Sequence, residues 1–233
     1  MAKRVQATPQ RAAAAVHGAR TALPRLLLAT NNPGKIGEYR LLLRGASFEL
    51  LTPADVGVTR VPEETGATLE ENALLKACAY ARAGNLLALA DDSGLFVDAL
   101  GGEPGVRSAR FAGEGASDAQ RNALLLRKLD GVPEARRMAR FRCVIAIALP
   151  DGLADICQGY VDGVITREPR GRGGWGYDPV FYLSELDKTM GELPPSAKNR
   201  LSHRGRAARK ARALLKVWAE WLGGPSQRQA GVS

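Results

Sequence analysis

The sequence has few of the residues that mark specialised protein classes, and each shortage excludes something. Its 233 residues contain no run approaching the roughly 20 consecutive apolar residues that a membrane helix needs. The three cysteines, Cys78, Cys143 and Cys157, are odd in number and lack the close spacing of a metal knuckle. They lie among apolar residues, so we expect them to be reduced, as is usual in a cytoplasmic protein.

Acidic residues are absent from the first 24 positions, which are rich in alanine and arginine. This segment also lacks the apolar core that is typical of a secretory signal. This composition can mark an organellar transit peptide, but we prefer a disordered tail or a start codon assigned too early. Residues 223–233 are predicted to be a flexible tail. Residues 25–222 remain as a single domain, long enough to bury a hydrophobic core.

The formal net charge of +9 invites a nucleic-acid interpretation, but its distribution argues against one. Residues 1–24 carry four basic side chains, and residues 198–233 carry nine basic and one acidic. The body between them, 25–197, has 20 basic and 23 acidic side chains and is slightly acidic. Its 45% apolar and 24% charged content is that of a globular protein. We therefore expect neither nucleic acid nor a membrane as a partner.

The hydrophobic pattern alternates between short apolar runs and segments of helical periodicity, and then shows a long hairpin. This order predicts an α/β protein with a mixed sheet. Capping boxes are expected at Thr68–Glu71 and Ser117–Gln120. The predicted strands are 25–30, 48–51, 86–90, 141–149 and 154–166, and the predicted helices are 35–44, 69–82, 118–129 and 203–222.

A polar turn joins the first predicted strand to the first predicted helix and forms a candidate anion site. Free backbone N–H groups and the positive end of the helix dipole face such a turn, and a lysine adds a full charge. The segment is not a Walker A loop, because the leading glycine is missing and Ile36 follows the lysine. An ordinary strand–helix turn is the simpler alternative for the segment alone. Its residues are Thr30, Asn31, Asn32, Pro33, Gly34 and Lys35.

Asp91-Asp92-Ser93-Gly94 follows a predicted buried strand, at the sheet edge where ligands of α/β proteins bind. We expect this segment to be a turn. Two adjacent carboxylates suit Mg²⁺ beside phosphates, with simple solvent exposure as the alternative. Glu63-Glu64, in another turn, could add a carboxylate, although such a pair is usually only surface charge.

The segment Gly171–Gly176 formally matches G-x-G-x-x-G, but no helix follows it, so we reject the dinucleotide interpretation. Its glycines would let the backbone approach a flat ligand, with Trp175 either stacking on that ligand or anchoring the core.

Lys198, His203 and Arg204 lie near the start of the last helix, where they could bind phosphate or form a solvated basic face.

Together these segments provide two positively charged sites for anions, a carboxylate cluster for Mg²⁺ and an aromatic glycine-rich loop for a planar base. These are the groups that a site for a Mg²⁺–nucleotide substrate needs. No side chain is obviously set up as a covalent nucleophile, so activated water is the expected attacking group.

Several of these segments occur in the same order in a known family, and the sequence resembles the inosine triphosphate pyrophosphatase family, which removes non-standard purine nucleotides. The match spans 25–222. One difference is Asn31, where many members carry glycine. The matching segments are ATNNPGK (29–35) with Glu38, EETGATLEENALLKA (63–77), ADDSGLFVDALGGEPGVRSARFAG (90–113), GVITREP (163–169), GGWGYDPVF (173–181) and SHRG (202–205).

The resemblance implies an elongated α/β fold with a central mixed, twisted sheet flanked by helices. It also implies two lobes with the active site in the cleft between them, and a homodimer. The expected reaction is Mg²⁺-dependent hydrolysis of ITP, dITP and XTP to the monophosphate and pyrophosphate, with one or more ions per subunit. Residues 25–222 would form the single catalytic domain.

The resemblance also assigns roles by motif position. Thr30–Lys35 match the triphosphate-binding turn, Glu63 and Asp92 match metal ligands, and Asp92 also matches the proton acceptor. The matching substrate contacts are Ser93, the base-binding residues Trp175, Gly176, Tyr177 and Asp178, and Lys198, His203 and Arg204.

Three other functions remain as alternatives at this point. One is a related pyrophosphatase acting on modified pyrimidines, which the GGWGYDP and SHRG segments disfavour. Another is a nucleic-acid-binding module that uses the basic last helix, which would leave Asp91 and Asp92 without a role. The third is a nucleotide sensor without catalysis, which would not need the carboxylates.

Overall fold

The computed structural model describes residues 4–5, 23–59 and 62–223. The expectations for the two chain ends therefore lie largely outside the described residues, and one catalytic domain over 25–222 stays a prediction. The chain forms two compact units, each assembled from separate stretches. Of the described residues, the first unit contains 4–5, 23–59, 62–92, 144–157 and 207–223, and the second contains 93–143 and 158–206.

The strands form a mixed sheet with helices between them in the chain, which confirms the predicted fold class. The described strands are β1 (Arg4–Val5), β2 (Arg25–Leu28), β3 (Glu49–Leu51), β4 (Leu87–Val97), β5 (Pro104–Gly105), β6 (Met138–Ala148), β7 (Ala154–Ile165), β8 (Phe181–Leu183) and β9 (Lys188–Thr189). The described helices are α1 (Pro33–Leu42), α2 (Leu69–Gly84), α3 (Asp118–Lys128), α4 (Pro195–Leu201) and α5 (His203–Gly223).

In the first unit, β2 runs parallel to both β3 and β4. Parallel neighbours need a crossover connection, which α1 and α2 supply. A strand covered on both faces reads as a continuous apolar run, and Leu26, Leu27 and Leu28 are accordingly buried. The apolar stripe predicted for α5 is buried as expected and consists of Ala208, Ala211, Leu215, Trp218 and Leu222.

The second unit is built mainly from antiparallel pairs: β8 lies between β7 and β9, and β5 pairs with β4. Its core includes Leu125 of α3 and the rings of Phe141 and Phe181, whose centroids are 4.5 Å apart. Arg137 is almost fully buried in this unit. Its guanidinium donates to three backbone carbonyls at 2.7 Å, those of Leu129, Ile165 and Thr166.

Two local expectations about β4 and α2 need correction. The sequence predicted a turn at Asp91–Gly94, but β4 continues through these residues to Val97. The box at Thr68 is only half formed: Thr68 accepts from the Glu71 N–H, whereas the Glu71 carboxylate accepts from Ala67. The full capping box of Ser117 and Gln120 is present on α3.

Helix α4 and strands β8 and β9 were not predicted, because each is shorter than the window over which hydrophobic periodicity is readable.

The three cysteines are free, as expected, and burial raises the pKa of Cys157 to about 12. No helix in the described part of the chain is both long and apolar enough to cross a membrane.

Candidate active site

The polar turn after β2 forms the N-terminus of α1. Asn32 caps the helix by accepting a hydrogen bond from the Lys35 N–H at 3.1 Å, and Thr30 Oγ1 accepts one from the Asn32 N–H at 3.2 Å. The helix begins at Pro33, two residues before its predicted start at Lys35. Lys35 therefore lies inside the first turn of the helix. This turn holds no acidic residue, and its dipole and lysine both present positive charge. Asn31 and Gly34 are exposed.

The two neighbouring carboxylates of β4 have different lysine partners. Lys35 Nζ lies 3.0 Å from Asp91 Oδ1, whereas Lys76 Nζ, on α2, lies 3.2 Å from Asp92 Oδ1. Lys76 also pairs with Glu64 at 2.7 Å. Because successive residues of a strand point to opposite faces, each carboxylate meets its own cation. This pairing lets a strand accommodate the two acids that the sequence placed in a turn.

Burial shapes the charge of this cluster. Burial raises the pKa of Asp92, and the Lys76 ammonium opposes that shift. Burial by itself lowers the pKa of Lys76, but the charges of Asp92, Asp91 and Glu64 outweigh it, so its pKa is raised. Asp92 Oδ2 is buried and has no hydrogen-bond partner among the described residues. A buried carboxylate oxygen in that situation is set to accept a proton or a cation.

One carboxylate of the first unit has the chemistry of a magnesium ligand. In the residues that the structure describes, no three His, Cys, Asp or Glu side chains are arranged to hold a metal by themselves. Mg²⁺ normally uses one or two carboxylates and completes its shell with substrate phosphates and water, so a single carboxylate such as that of Asp92 suits it. Glu64 reaches the Lys76 cluster, whereas Glu63, the residue predicted as a ligand, is exposed.

In the second unit, cationic side chains surround a half-buried tryptophan. The guanidinium of Arg204 lies 4.8 Å from the Trp175 ring centroid and donates to Ser93 Oγ at 3.1 Å. Lys198 Nζ lies 5.5 Å from the same centroid and 2.7 Å from Asp178 Oδ2. Cations over an indole face are favourable, and here they also fix the plane of the ring.

The glycine-rich loop is folded back on Asp178. The Asp178 carboxylate accepts from the Trp175 N–H at 2.9 Å, and the Tyr177 hydroxyl donates to the Ser108 carbonyl at 2.8 Å. Gly174 has a φ of +75°, and a Cβ there would lie 2.2 Å from Asp178 Oδ2. Only glycine fits at this position, which explains its place in the motif.

The SHRG segment starts α5. Ser202 accepts from the Gly205 N–H at 3.1 Å, as a helix cap does. A Cβ on Gly205 would lie 1.8 Å from the Asn199 carbonyl, so glycine lets α4 and α5 approach each other. His203 is buried and stacks on Phe141, with centroids 4.6 Å apart and planes 12° apart.

Eight of the predicted site residues fall into two clusters. In the first unit Lys35 pairs with Asp91, and the neighbouring Asp92 pairs with Lys76. In the second unit the cluster consists of Ser93, Trp175, Asp178, Lys198 and Arg204. Asp92 and Ser93 are consecutive, so β4 contributes to both.

Lys76 was not among the predicted site residues. A signal was present: on α2 this lysine falls in the buried stripe that also contains Leu69, Ala73 and Tyr80. A charged residue on a buried helix face requires a counter-charge, which here comes from Asp92 and Glu64.

Known proteins match this chain in both sequence and fold. The model of the Ham1 family matches residues 26–214. A dITP/XTP pyrophosphatase of Geobacter sulfurreducens is 51% identical over 86% of this chain and 99% of its own length. A protein of the same name from Bacillus subtilis is 45% identical over 82% of this chain and 96% of its own length.

A solved HAM1 protein of Coxiella burnetii superposes with a TM-score of 0.77 at 42% identity. It covers 83% of this chain and 98% of its own. The sequence matches and the shared architecture extend over most of the chain, and the family match at 26–214 spans the positions of both clusters. This chain is therefore a member of the Ham1 family.

Proposed function

We propose that this protein hydrolyses the non-standard purine nucleoside triphosphates ITP, dITP and XTP to the monophosphate and pyrophosphate. The names of its relatives support that substrate class. The observation that carries the proposal is the buried Asp92 carboxylate, held at Oδ1 by Lys76 while Oδ2 has no partner among the described residues. Such hydrolysis keeps these bases out of DNA and RNA.

Asp92 is the general base of the proposed reaction. Its Oδ2 accepts a proton from a water molecule, whose oxygen forms a bond to the α-phosphorus. The bond between the α-phosphorus and the bridging oxygen then breaks, and pyrophosphate leaves. Lys76 holds Oδ1, so the other oxygen is oriented by a contact that takes no part in the bond changes.

Mg²⁺ is the proposed cofactor, and Glu63 and Asp92 are its proposed protein ligands. When bound, the ion supplies charge neutralisation for the phosphates. Lys35, Lys198 and Arg204 add positive charge for the same groups, and the Thr30–Lys35 turn contributes backbone N–H donors from a helix N-terminus. Ser93 contributes a hydroxyl, which Arg204 orients.

Base recognition is assigned to the loop Trp175–Asp178, with His203 and Arg204 as donors. ITP and XTP carry a 6-oxo group where ATP carries an amino group. A site that presents donors at that position leaves ATP with donor facing donor, and such mismatches reach factors of about 10⁴. The homodimer and the cytoplasmic location implied by the family resemblance belong to the same proposal.

Replacing Trp175 with alanine is expected to raise the KM for ITP about tenfold or more, because base stacking on an aromatic ring is lost. Steady-state kinetics of pyrophosphate release measures this change. Trp221→Ala, at an exposed tryptophan of α5, is the control and should leave KM unchanged. An unchanged KM in the Trp175 variant would rule out the stacking role.

The function itself is tested by measuring pyrophosphate release from ITP, XTP, dITP, GTP and ATP, with and without Mg²⁺. We expect rapid release from the first three only, and only when Mg²⁺ is present. A protein that releases no pyrophosphate from ITP or XTP, but shifts DNA or RNA in a salt-sensitive manner, would instead be a nucleic-acid-binding module.

A further inference from the structure

Gly176, in the middle of the base-binding loop, is held on both sides of its backbone by one helix. The Asp118 carboxylate of α3 accepts from the Gly176 N–H at 2.6 Å. Asn122 Nδ2 donates to the Gly176 carbonyl at 3.0 Å. Asp118 and Asn122 are four residues apart, so they lie one above the other on one face of α3. All three residues belong to the second unit.

We call these two hydrogen bonds, from Asp118 and Asn122 to the Gly176 backbone, the clamp. The clamp has a defined orientation, and holding Asn122 in it leaves one buried polar atom unsatisfied among the described residues. Asn122 is buried, and its Oδ1 has no hydrogen-bond partner in the part of the chain that the structure describes. An unsatisfied buried oxygen is unfavourable, so the donation to Gly176 is the contact that offsets it. Arg121 pairs with Asp118 and also donates to the Ala109 carbonyl at 3.1 Å, which fixes the carboxylate in place.

Gly176 directly follows Trp175, so the clamp acts on the orientation of the indole. Trp175 is fixed from one side by its N–H bond to Asp178 and from the other by the held Gly176 peptide. Gly176 has a φ of +66°, a conformation that a flexible loop would leave readily without these bonds. Two charge-assisted or buried bonds therefore hold the loop in its shape before any ligand arrives.

We infer that Asp118 and Asn122 are positioning residues for base recognition, which pre-orient Trp175 through the Gly176 peptide. This inference rests on the proposed function, in which the base contacts the Trp175–Asp178 loop. A loop already ordered loses less conformational entropy on binding, so the clamp contributes to affinity for the base. Chemistry at the α-phosphorus depends on other residues, so the clamp contributes little to kcat.

The test compares Asp118→Ala and Asn122→Ala with the wild type. Each variant is expected to raise the KM for ITP about tenfold while kcat changes less than about twofold, because one strong hydrogen bond to the loop is lost. Inorganic tripolyphosphate carries the phosphate chain without a base, so its inhibition constant should not change. Asp118→Asn retains an oxygen that can accept from Gly176 and should restore much of the affinity.

The matched control is Gln120→Ala. Gln120 accepts from the Ser117 N–H at 2.8 Å and completes the capping box of α3, but Gly176 is clamped by Asp118 and Asn122. Its loss weakens the same helix end without releasing the loop. A KM for ITP that rises equally in this control, or an inhibition constant for tripolyphosphate that rises in parallel, would reduce the clamp to a structural contact.

Failure of the inference is distinct from failure of the proposed function. Wild-type protein that releases no pyrophosphate from ITP contradicts the function. If the wild-type protein is active and Asn122→Ala has the same KM for ITP as the wild type, the positioning role of the clamp is wrong. The Asn122 variant decides this even if Asp118→Ala does not fold, because Asn122 takes no part in the pairing of Asp118 with Arg121.

Discussion

Asp92→Asn is expected to lower kcat for ITP about 10³-fold, the typical contribution of a positioned general base. The amide has nearly the shape of the carboxylate but cannot accept the proton of the attacking water. Lys76 keeps its pair with Glu64, so the surrounding cluster retains a charged partner for the lysine. Substrate affinity should therefore survive. Calorimetric binding of an ITP analogue with a methylene bridge between the α and β phosphorus atoms separates affinity from turnover.

Asp162→Asn is the matched control for this substitution. Asp162 is half exposed on β7 and pairs with Arg140 at 2.5 Å, outside both side-chain clusters. It should keep normal kinetics. Near-normal kcat in the Asp92 variant would remove this residue from its role. A large loss in Asp91→Asn with normal kcat in Asp92→Asn would transfer the role to Asp91.

Lys76→Met is expected to lower the free energy of unfolding by about 3–5 kcal/mol, because it leaves the buried Asp92 carboxylate without its cation. The lysine side chain is 9% exposed and that of Asp92 is 10% exposed. Asp92 and Glu64 would both lose their ammonium partner in one step. Urea unfolding, followed by fluorescence without added metal or nucleotide, gives the free-energy change.

Lys128→Met provides the comparison at an exposed site. Lys128 Nζ lies 2.9 Å from Glu103 Oε2, close to the 2.7 Å of the Lys76–Glu64 pair, but both partners are about half exposed. Exposed pairs contribute about 0–1 kcal/mol. Equal losses in the two variants would show that burial of the Lys76 cluster does not control its contribution to stability.

The parts of the fold that were predictable depend on neighbouring residues in the chain. The apolar stripe of α5 recurs every three or four residues, and Ser117 and Gln120 form their capping box within one turn. A turn between the first strand and the first helix was predictable because asparagine, proline and glycine have strong backbone preferences. Its helix starts at Pro33 rather than Lys35, because Asn32 is the cap.

The course of β4 was not predictable in the same way. Four polar or small residues in a row, Asp91 to Gly94, are typical of a turn, yet they continue the strand. The strand is stable there because Lys35 and Lys76 neutralise the two acids from separate helices. Neither lysine is adjacent to the aspartates in the chain, so no local pattern carries this information.

The sequence by itself determined the α/β class, the order of the motifs and the residue types available for phosphate, metal and base. Only the tertiary structure decided which of these residues meet. It brought Glu64 to Lys76 while Glu63 is exposed, and it joined Asp118 to Gly176 across 58 positions of the chain. The reason is physical: periodicity and capping are local, whereas buried charges and backbone clamps require partners that only packing brings together.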